Sequence, residues 1–260
     1  MKVYNTSEYL EKLKIRSVNP VSLSKYYYFP KNRAELVKLV KRRIINEGNE
    51  CNLNDIDVSK IDDMCELFAS FSEFNGDVSG WDVSNVKNMS GMFNGCHVFN
   101  QDLSRWDVSK VINMNYMFSN AINFNGDLSK WDVGNVVVMD SLFEFAENFN
   151  GDISNWNVSS VRVMNSMFYG AKSFNSNISK WDTSSVEYMY RMFGSAECFN
   201  QDISSWNVSG VHDMCCAFMD ASCFLQDLSG WNVNKVEFSK DMFKCCPMEL
   251  HPEKQPKFGH

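Results

Sequence analysis

The residues able to do chemistry recur in rows. One position after each tryptophan stands Asp or Asn: Asp82, Asp107, Asp132, Asn157, Asp182, Asn207 and Asn232, with Asp57 at the same register ahead of them. Carboxylates in a row repel unless a hydroxyl, a lysine or a cation shares them, so the row reads either as a calcium track or as a hydrogen-bonded ladder. Each repeat offers only one carboxylate there, whereas calcium takes about six to eight oxygens, which favours the ladder. Nine cysteines thicken toward the end as Cys198, Cys215, Cys216, Cys223, Cys245 and Cys246. Their odd number and irregular spacing favour free, buried thiols over a disulfide framework. Cys198 and Cys223 share a repeat register, so a disulfide between them stays open. No C-x-x-C pair supports zinc, and His97, His212, His251 and His260 fit no nucleophile pairing or H-E-x-x-H helix. No phosphate loop or dinucleotide fingerprint is present. The chemistry expected is therefore that of a chain with no catalytic residue, no metal and no cofactor.

These rows exist because the chain repeats. Its seven tryptophans fall at Trp81, Trp106, Trp131, Trp156, Trp181, Trp206 and Trp231, each 25 residues after the last. A fixed period of this size marks a solenoid. Seven before each Trp is Phe (Phe74 to Phe224), two before is Ser, and twelve after is Phe again (Phe93 to Phe243). A partial repeat precedes them, with Ile56 in the Trp place and Val58, Ile61, Met64 and Phe68 in register. The expected organisation is a lead-in and capping helix over 1–52, a repeat array over 53–246, and a tail or cap over 247–260. All five prolines lie outside the array, where chain-breaking residues are tolerated.

Within one repeat, Ile153, Trp156 and Val158 match the L-x-x-L-x-L strand signature and point inward. Val161, Met164, Met167 and Phe168 follow at helical spacing, with Ser159 as an N-cap. The expected fold class is α/β: a leucine-rich-repeat-like right-handed solenoid with one short strand and one short helix per 25-residue turn. No repeat buries its own face, so Trp, Phe and Met become continuous ladders only when turns stack at ~4.8 Å. At this regularity the Met stripe is core filler. The Asn after Phe and the Ser before Trp read as residues that bond backbone at the turns. Ahead of the array, Asn32 and Glu35 open a capping helix with Leu36, Val40 and Ile44 on one face and Gly48 as its stop. Its Lys38, Lys41, Arg42 and Arg43 read as the solvated side of that cap, or as a surface for an anion.

Charge is uneven. Residues 1–52 hold 11 Lys/Arg against 5 Asp/Glu, a balance of +6, and the remainder carries −13, giving the net −7. An acidic body argues against nucleic acid as a ligand. No run of about 18 apolar residues forms a membrane span. The N-terminus "MKVYNTSEYLEKLKIRSV" lacks the apolar region of a signal peptide, which as written points to the cytoplasm.

The phase-locked pattern "FNGDISNWNVSSVRVMNSMF", with its Trp, paired Met and Met-Phe, resembles the repeat of the BspA-like leucine-rich-repeat surface proteins of host-associated bacteria. The lead-in "FPKNRAELVKLVKRRIINEGNECNLNDIDVSKIDDMCELF" is similar to the segment that precedes such arrays. The resemblance implies a non-enzymatic protein that binds protein or matrix, at a cell surface or secreted. The alternative is a structural protein that assembles through its array ends, which the cap-like termini disfavour in favour of a monomer.

Two faces compete for the partner. The strand face offers Arg105, Lys130, Asn155 and Lys180 one before Trp, alternating with Asp107, Asp132 and Asp182. The helix side offers Val138, Val163 and Tyr188 seven after Trp, joined by Tyr169 and Tyr190. A concave strand face able to surround a ligand is the preferred expectation.

Overall fold

A repeating backbone must place its N–H and C=O groups within a turn, between turns, or both. Here both occur. A computed structural model describes residues 26–259. The start of the lead-in, where the export signal was sought and where Pro20 lies, falls outside the described residues.

Parallel bridges join each turn to the next at one register, running from Asp63 through Asn88, Asn113, Val138, Val163, Tyr188 and Asp213 to Phe238. The bonding continues along the turn. Met139 N–H donates to the Val163 carbonyl (3.1 Å), Ser141 to Asn165 (2.8 Å), Phe143 to Met167 (2.9 Å) and Phe145 to Tyr169 (2.7 Å). The intervening N–H groups close short local turns instead, Leu142 to Met139 (3.3 Å), Glu144 to Ser141 (3.2 Å) and Ala146 to Phe143 (3.0 Å). From Ser141 to Ala146, N–H groups that tie neighbouring turns thus alternate with ones that shape their own.

This pattern replaces the expected helix. Val161, Met164, Met167 and Phe168 are all buried, yet the described residues contain one α-helix, α1 (Arg33–Glu47), and it precedes the repeats. Successive three-residue turns generate a buried stripe of period three, which ten residues cannot separate from a period of 3.6. Residues ten and fourteen after Trp also take positive φ, as at Tyr116 (56°), Asn120 (56°), Ser141 (53°) and Phe145 (52°). Two left-handed residues four apart interrupt any right-handed helix.

The expected strand around Trp is likewise a pair of turns. Trp156 N–H donates to the Ile153 carbonyl (3.1 Å) and Val161 N–H to Val158 (2.9 Å). Asn157 Oδ1 accepts from the N–H (3.2 Å) and hydroxyl (2.7 Å) of Ser159, so Ser159 shapes an Asx turn rather than capping a helix. The inter-turn ladder therefore lies on the side assigned to helix, and the turns lie on the side assigned to strand. We call these the ladder face and the turn face.

Aromatic columns fill the interior. From Trp106 to Trp181 the indoles stack at 6.5 Å between centroids, within 3° of parallel. Each indole N–H donates to the carbonyl three before the preceding tryptophan or its equivalent, from Trp81 to Leu53 (2.9 Å) through Trp231 to Ile203 (3.2 Å). The column thus carries no orphaned indole donor. Two phenylalanine columns pair within each turn, as Phe143 with Phe149 at 3.8 Å and Phe168 with Phe174 at 3.8 Å. The Asn after Phe bonds between turns: Asn125 Oδ1 accepts from Asn150 N–H at 2.9 Å, and Asn150 Oδ1 from Asn175 N–H at 2.8 Å.

Both described ends are covered. Asn32 Oδ1 accepts from Glu35 N–H at 3.0 Å to start α1, and Gly48 ends it at a φ of 93°. Leu36, Val40 and Ile44 join the core, and Arg43 is buried with them. Arg43 differs from its expected place on a solvated face. Its guanidinium bonds both Asp55 oxygens (2.9 Å) and the Asn52 carbonyl (2.9 Å), fastening the helix to the first turn. At the other end, two 3-10 helices (Pro247–Leu250 and Pro252–Lys254) fold over the last turn. There Met248 is fully buried and Leu228 N–H donates to the Lys254 carbonyl (2.8 Å).

Candidate binding faces

On the turn face, Arg105, Asp107, Lys130, Asp132, Asn155, Lys180 and Asp182 are all exposed. The aspartates close local Asx turns. Asp107 Oδ1 accepts from Ser109 N–H (3.0 Å), Asp132 Oδ1 from Gly134 N–H (3.1 Å) and Asp182 Oδ1 from Ser184 N–H (3.0 Å). Serine hydroxyl and N–H donors hold the carboxyls of Asp107 and Asp182 below the usual carboxylate range. These acids are committed to their own turns. Asn155 and Lys180 line a polar groove of about 380 Å³ with Asp152 and Asn177. A second groove of about 370 Å³ lies along Arg162, Glu187, His212 and Lys235. No group of three or more His, Cys, Asp or Glu among the described residues is placed to hold a metal ion.

The ladder face is different in kind. Val138, Val163 and Tyr188 form consecutive rungs, half-buried for the two valines and exposed for the tyrosine. Tyr169 and Tyr190 are half-buried, and the Arg191 guanidinium lies over both rings, 5.4 Å and 5.0 Å from their centroids. Phe145 meets Tyr169 edge-on at 5.0 Å. One turn earlier, Tyr116 hydrogen-bonds Asp140. The patch thus runs from Tyr116 through Phe145 and Tyr169 to Tyr188, Tyr190 and Arg191.

Two carboxyls lie within it. Burial raises Asp140 above its ordinary range against the opposing Tyr116 hydroxyl bond. Burial likewise raises Glu144, against bonds from Ser141 and Ser119 and the charge of Arg191. The charge of Asp140 is the main cause holding the Tyr116 phenol protonated to higher pH.

Tyr116, Phe145, Arg191, Asp140 and Glu144 were not among the candidate residues read from sequence. The available signal was compositional. Ten after Trp, the column reads Gly91, Tyr116, Ser141, Ser166, Arg191, Cys216 and Asp241; fourteen after, it reads Gly95, Asn120, Phe145, Gly170, Ser195, Asp220 and Cys245. Columns in which glycine and turn-forming residues recur mark a special backbone, and a bulky side chain in them stands out.

The cysteines also depart from expectation in part. Cys51, Cys96 and Cys246 are buried thiols, with burial raising Cys96 to about 12 and Cys246 to about 11. Cys198, Cys223 and Cys245 are exposed. Cys198 and Cys223 stand seventeen after Trp, outside the aromatic columns, where Asn123 and Asn148 are exposed as well.

The stacked aromatic columns and inter-turn bonding define a repeat protein. The chain belongs to the family described as "Mycoplasma protein of unknown function, DUF285", whose model matches residues 40–156 and again 138–251. The two matches tile the array, as a model spanning several repeats does on a longer run of them. Comparison with curated proteins and with solved structures gives no match. No helix among the described residues is long and apolar enough to cross a membrane.

Proposed function

We propose that this chain is a non-enzymatic binding protein, a leucine-rich-repeat-like solenoid of the BspA-like kind, that holds a protein partner on its ladder face. One observation carries the reading. Tyr116, Phe145 and Arg191 occupy positive-φ positions (56°, 52° and 54°) that Gly91, Gly95 and Gly170 fill elsewhere in the array. A left-handed backbone costs a bulky L-residue about 1–2 kcal/mol, and glycine almost none. Nine other non-glycine residues, Ser141, Ser166 and Cys216 among them, share this backbone, so the positive φ belongs to the repeat. What sets these three apart is a large side chain there, exposed at Tyr116 and Phe145 and half-buried at Arg191, and a ligand accounts for that choice. Tyr, Trp and Arg are also the residues that dominate binding energy at protein interfaces.

The turn face supports the reading less well, because its aspartates already serve their own turns. Assembly through the array ends is disfavoured by the helix at one end and the buried Met248 at the other.

The test is a capture experiment on host-cell surface and matrix proteins with three immobilised chains. These are the wild type, Tyr116→Asn/Phe145→Asn and Lys130→Glu/Lys180→Glu, each shown to be folded by circular dichroism. Asparagine tolerates positive φ, so the aromatic pair should lose only the Phe145–Tyr169 contact, about 0.5–1.5 kcal/mol, and the Tyr116–Asp140 hydrogen bond, about 1–3 kcal/mol. A specific partner captured by the wild type and the charge variant, but not by the aromatic variant, is the expected result. Loss in the charge variant alone assigns the partner to the turn face instead. Retention by both variants removes either face as the site.

A further inference from the structure

In the first six Trp turns the register seventeen after Trp reads Val98, Asn123, Asn148, Ser173, Cys198 and Cys223, a column of short side chains that ends where Met248 takes the position in the cap. Its spacing is visible where two asparagines occupy neighbouring turns: Asn148 Nδ2 donates to Asn123 Oδ1 at 3.3 Å. One residue earlier in the register and one turn further along, Lys172 pairs with Glu147 at 3.0 Å. Side chains at this register therefore touch from turn to turn. The backbone repeats the geometry at the cysteines, with Cys198 N–H donating to the Lys172 carbonyl (3.0 Å) and Cys223 N–H to the Glu197 carbonyl (3.2 Å). Strands so bonded lie about 4.8 Å apart, inside the ~4.4–6.8 Å Cα separation that a disulfide spans. Both thiols are free and exposed.

We infer that Cys198 and Cys223 are a paired oxidation site that closes into a disulfide across two turns. With a low-molecular-weight disulfide such as oxidised glutathione as oxidant, one cysteine thiolate attacks a glutathione sulfur and expels a glutathione thiolate. The second cysteine thiolate then attacks the protein sulfur of the mixed disulfide and expels the other glutathione. The two thiols lose two electrons and two protons, and glutathione disulfide leaves as two reduced glutathiones. The mixed disulfide is short-lived because the second thiol is already held at the same register in the next turn. The closed bond staples the array toward its C-terminal end and limits the separation of the turns that carry the cysteines.

The test uses the full chain, reduced and then equilibrated in glutathione redox buffer. The expected product is a monomer lighter by two hydrogens, with a melting temperature a few degrees above the reduced form. Cleavage after aromatic residues, which cuts at Phe199, Trp206, Phe218 and Phe224, should leave the Cys198 and Cys223 fragments joined. Cys198→Ser and Cys223→Ser, melting like the reduced wild type, should each abolish the mass loss and the thermal shift. Persistent glutathione adducts, a bond to Cys215, Cys216 or Cys245, a cross-linked dimer, or no oxidation would each overturn the assignment.

Discussion

Trp156 is the sharpest probe of the stack. It is 3% exposed, its ring lies 6.5 Å from both Trp131 and Trp181, and its Nε1 donates to the Leu128 carbonyl at 3.0 Å. Truncation to alanine removes a ring held between two others and opens a cavity that neighbouring turns cannot close without breaking register. Core substitutions of this kind cost about 3–5 kcal/mol. The Leu128 carbonyl also loses its donor, a loss of about 1–3 kcal/mol that overlaps the cavity cost. We expect about 5 kcal/mol for Trp156→Ala. Trp156→Phe retains an aromatic ring but not the N–H, so it should cost about 1–3 kcal/mol, mostly the lost donor. Trp231→Ala should cost less than Trp156→Ala, because Trp231 is followed by the terminal cap rather than by another indole. Urea denaturation of the full chain, followed by far-UV circular dichroism and by the fluorescence of the remaining tryptophans, measures all three. A loss below about 1 kcal/mol for Trp156→Ala, or equal losses for alanine and phenylalanine, would refute the stacked and hydrogen-bonded role.

Three further outcomes follow from particular contacts. Asp140 and Glu144 keep their protons to higher pH in the folded chain than in the unfolded one, so the folded chain binds more protons just above the ordinary carboxylate range and stability falls as pH rises through it. Asp140→Asn and Glu144→Gln should therefore raise the melting temperature at neutral pH, with the gain vanishing in acid; a lower melting temperature at neutral pH contradicts this. Gly170→Ala combines a φ of 68° with a Cβ placed 2.5 Å from Phe145 Cδ1, and should cost about 1–2 kcal/mol from backbone strain together with displacement of Phe145. An unchanged melt would show that the turn relaxes freely. Chelator should leave the melting temperature unchanged, since the turn-face aspartates are occupied by their own turns; a drop reversed by calcium would restore them as ligands.

The period and the core were legible in sequence because the Trp slot and both Phe slots keep one residue type in all seven turns and the other interior slots stay mostly apolar. Trp, both Phe columns and the Met column recur in phase because a ring or a thioether must meet its counterpart in the next turn. Secondary structure was not legible, because Val161, Met164, Met167 and Phe168 satisfy a chain of three-residue turns as well as they satisfy a helix. Backbone hand settles that ambiguity, and the positive-φ columns carry glycine in too few turns to announce it: Gly91, Gly95 and Gly170 share those columns with Tyr116, Phe145 and Arg191. The aromatic patch was hidden for the same reason. Tyr169, Tyr188 and Tyr190 are visible as departures from their columns, whereas Tyr116, Phe145 and Arg191 become significant only once their φ is known. In a repeat array the slots that recur report on the fold, because every turn needs them. The slots where a turn accepts a costlier residue than its neighbours report on what that turn alone must do. Here non-glycine residues bear the left-handed backbone in most turns, and the bulkiest of them are Tyr116, Phe145 and Arg191, in the Trp106, Trp131 and Trp181 turns. On the binding role proposed above, a ligand that rewards those side chains would contact the ladder face.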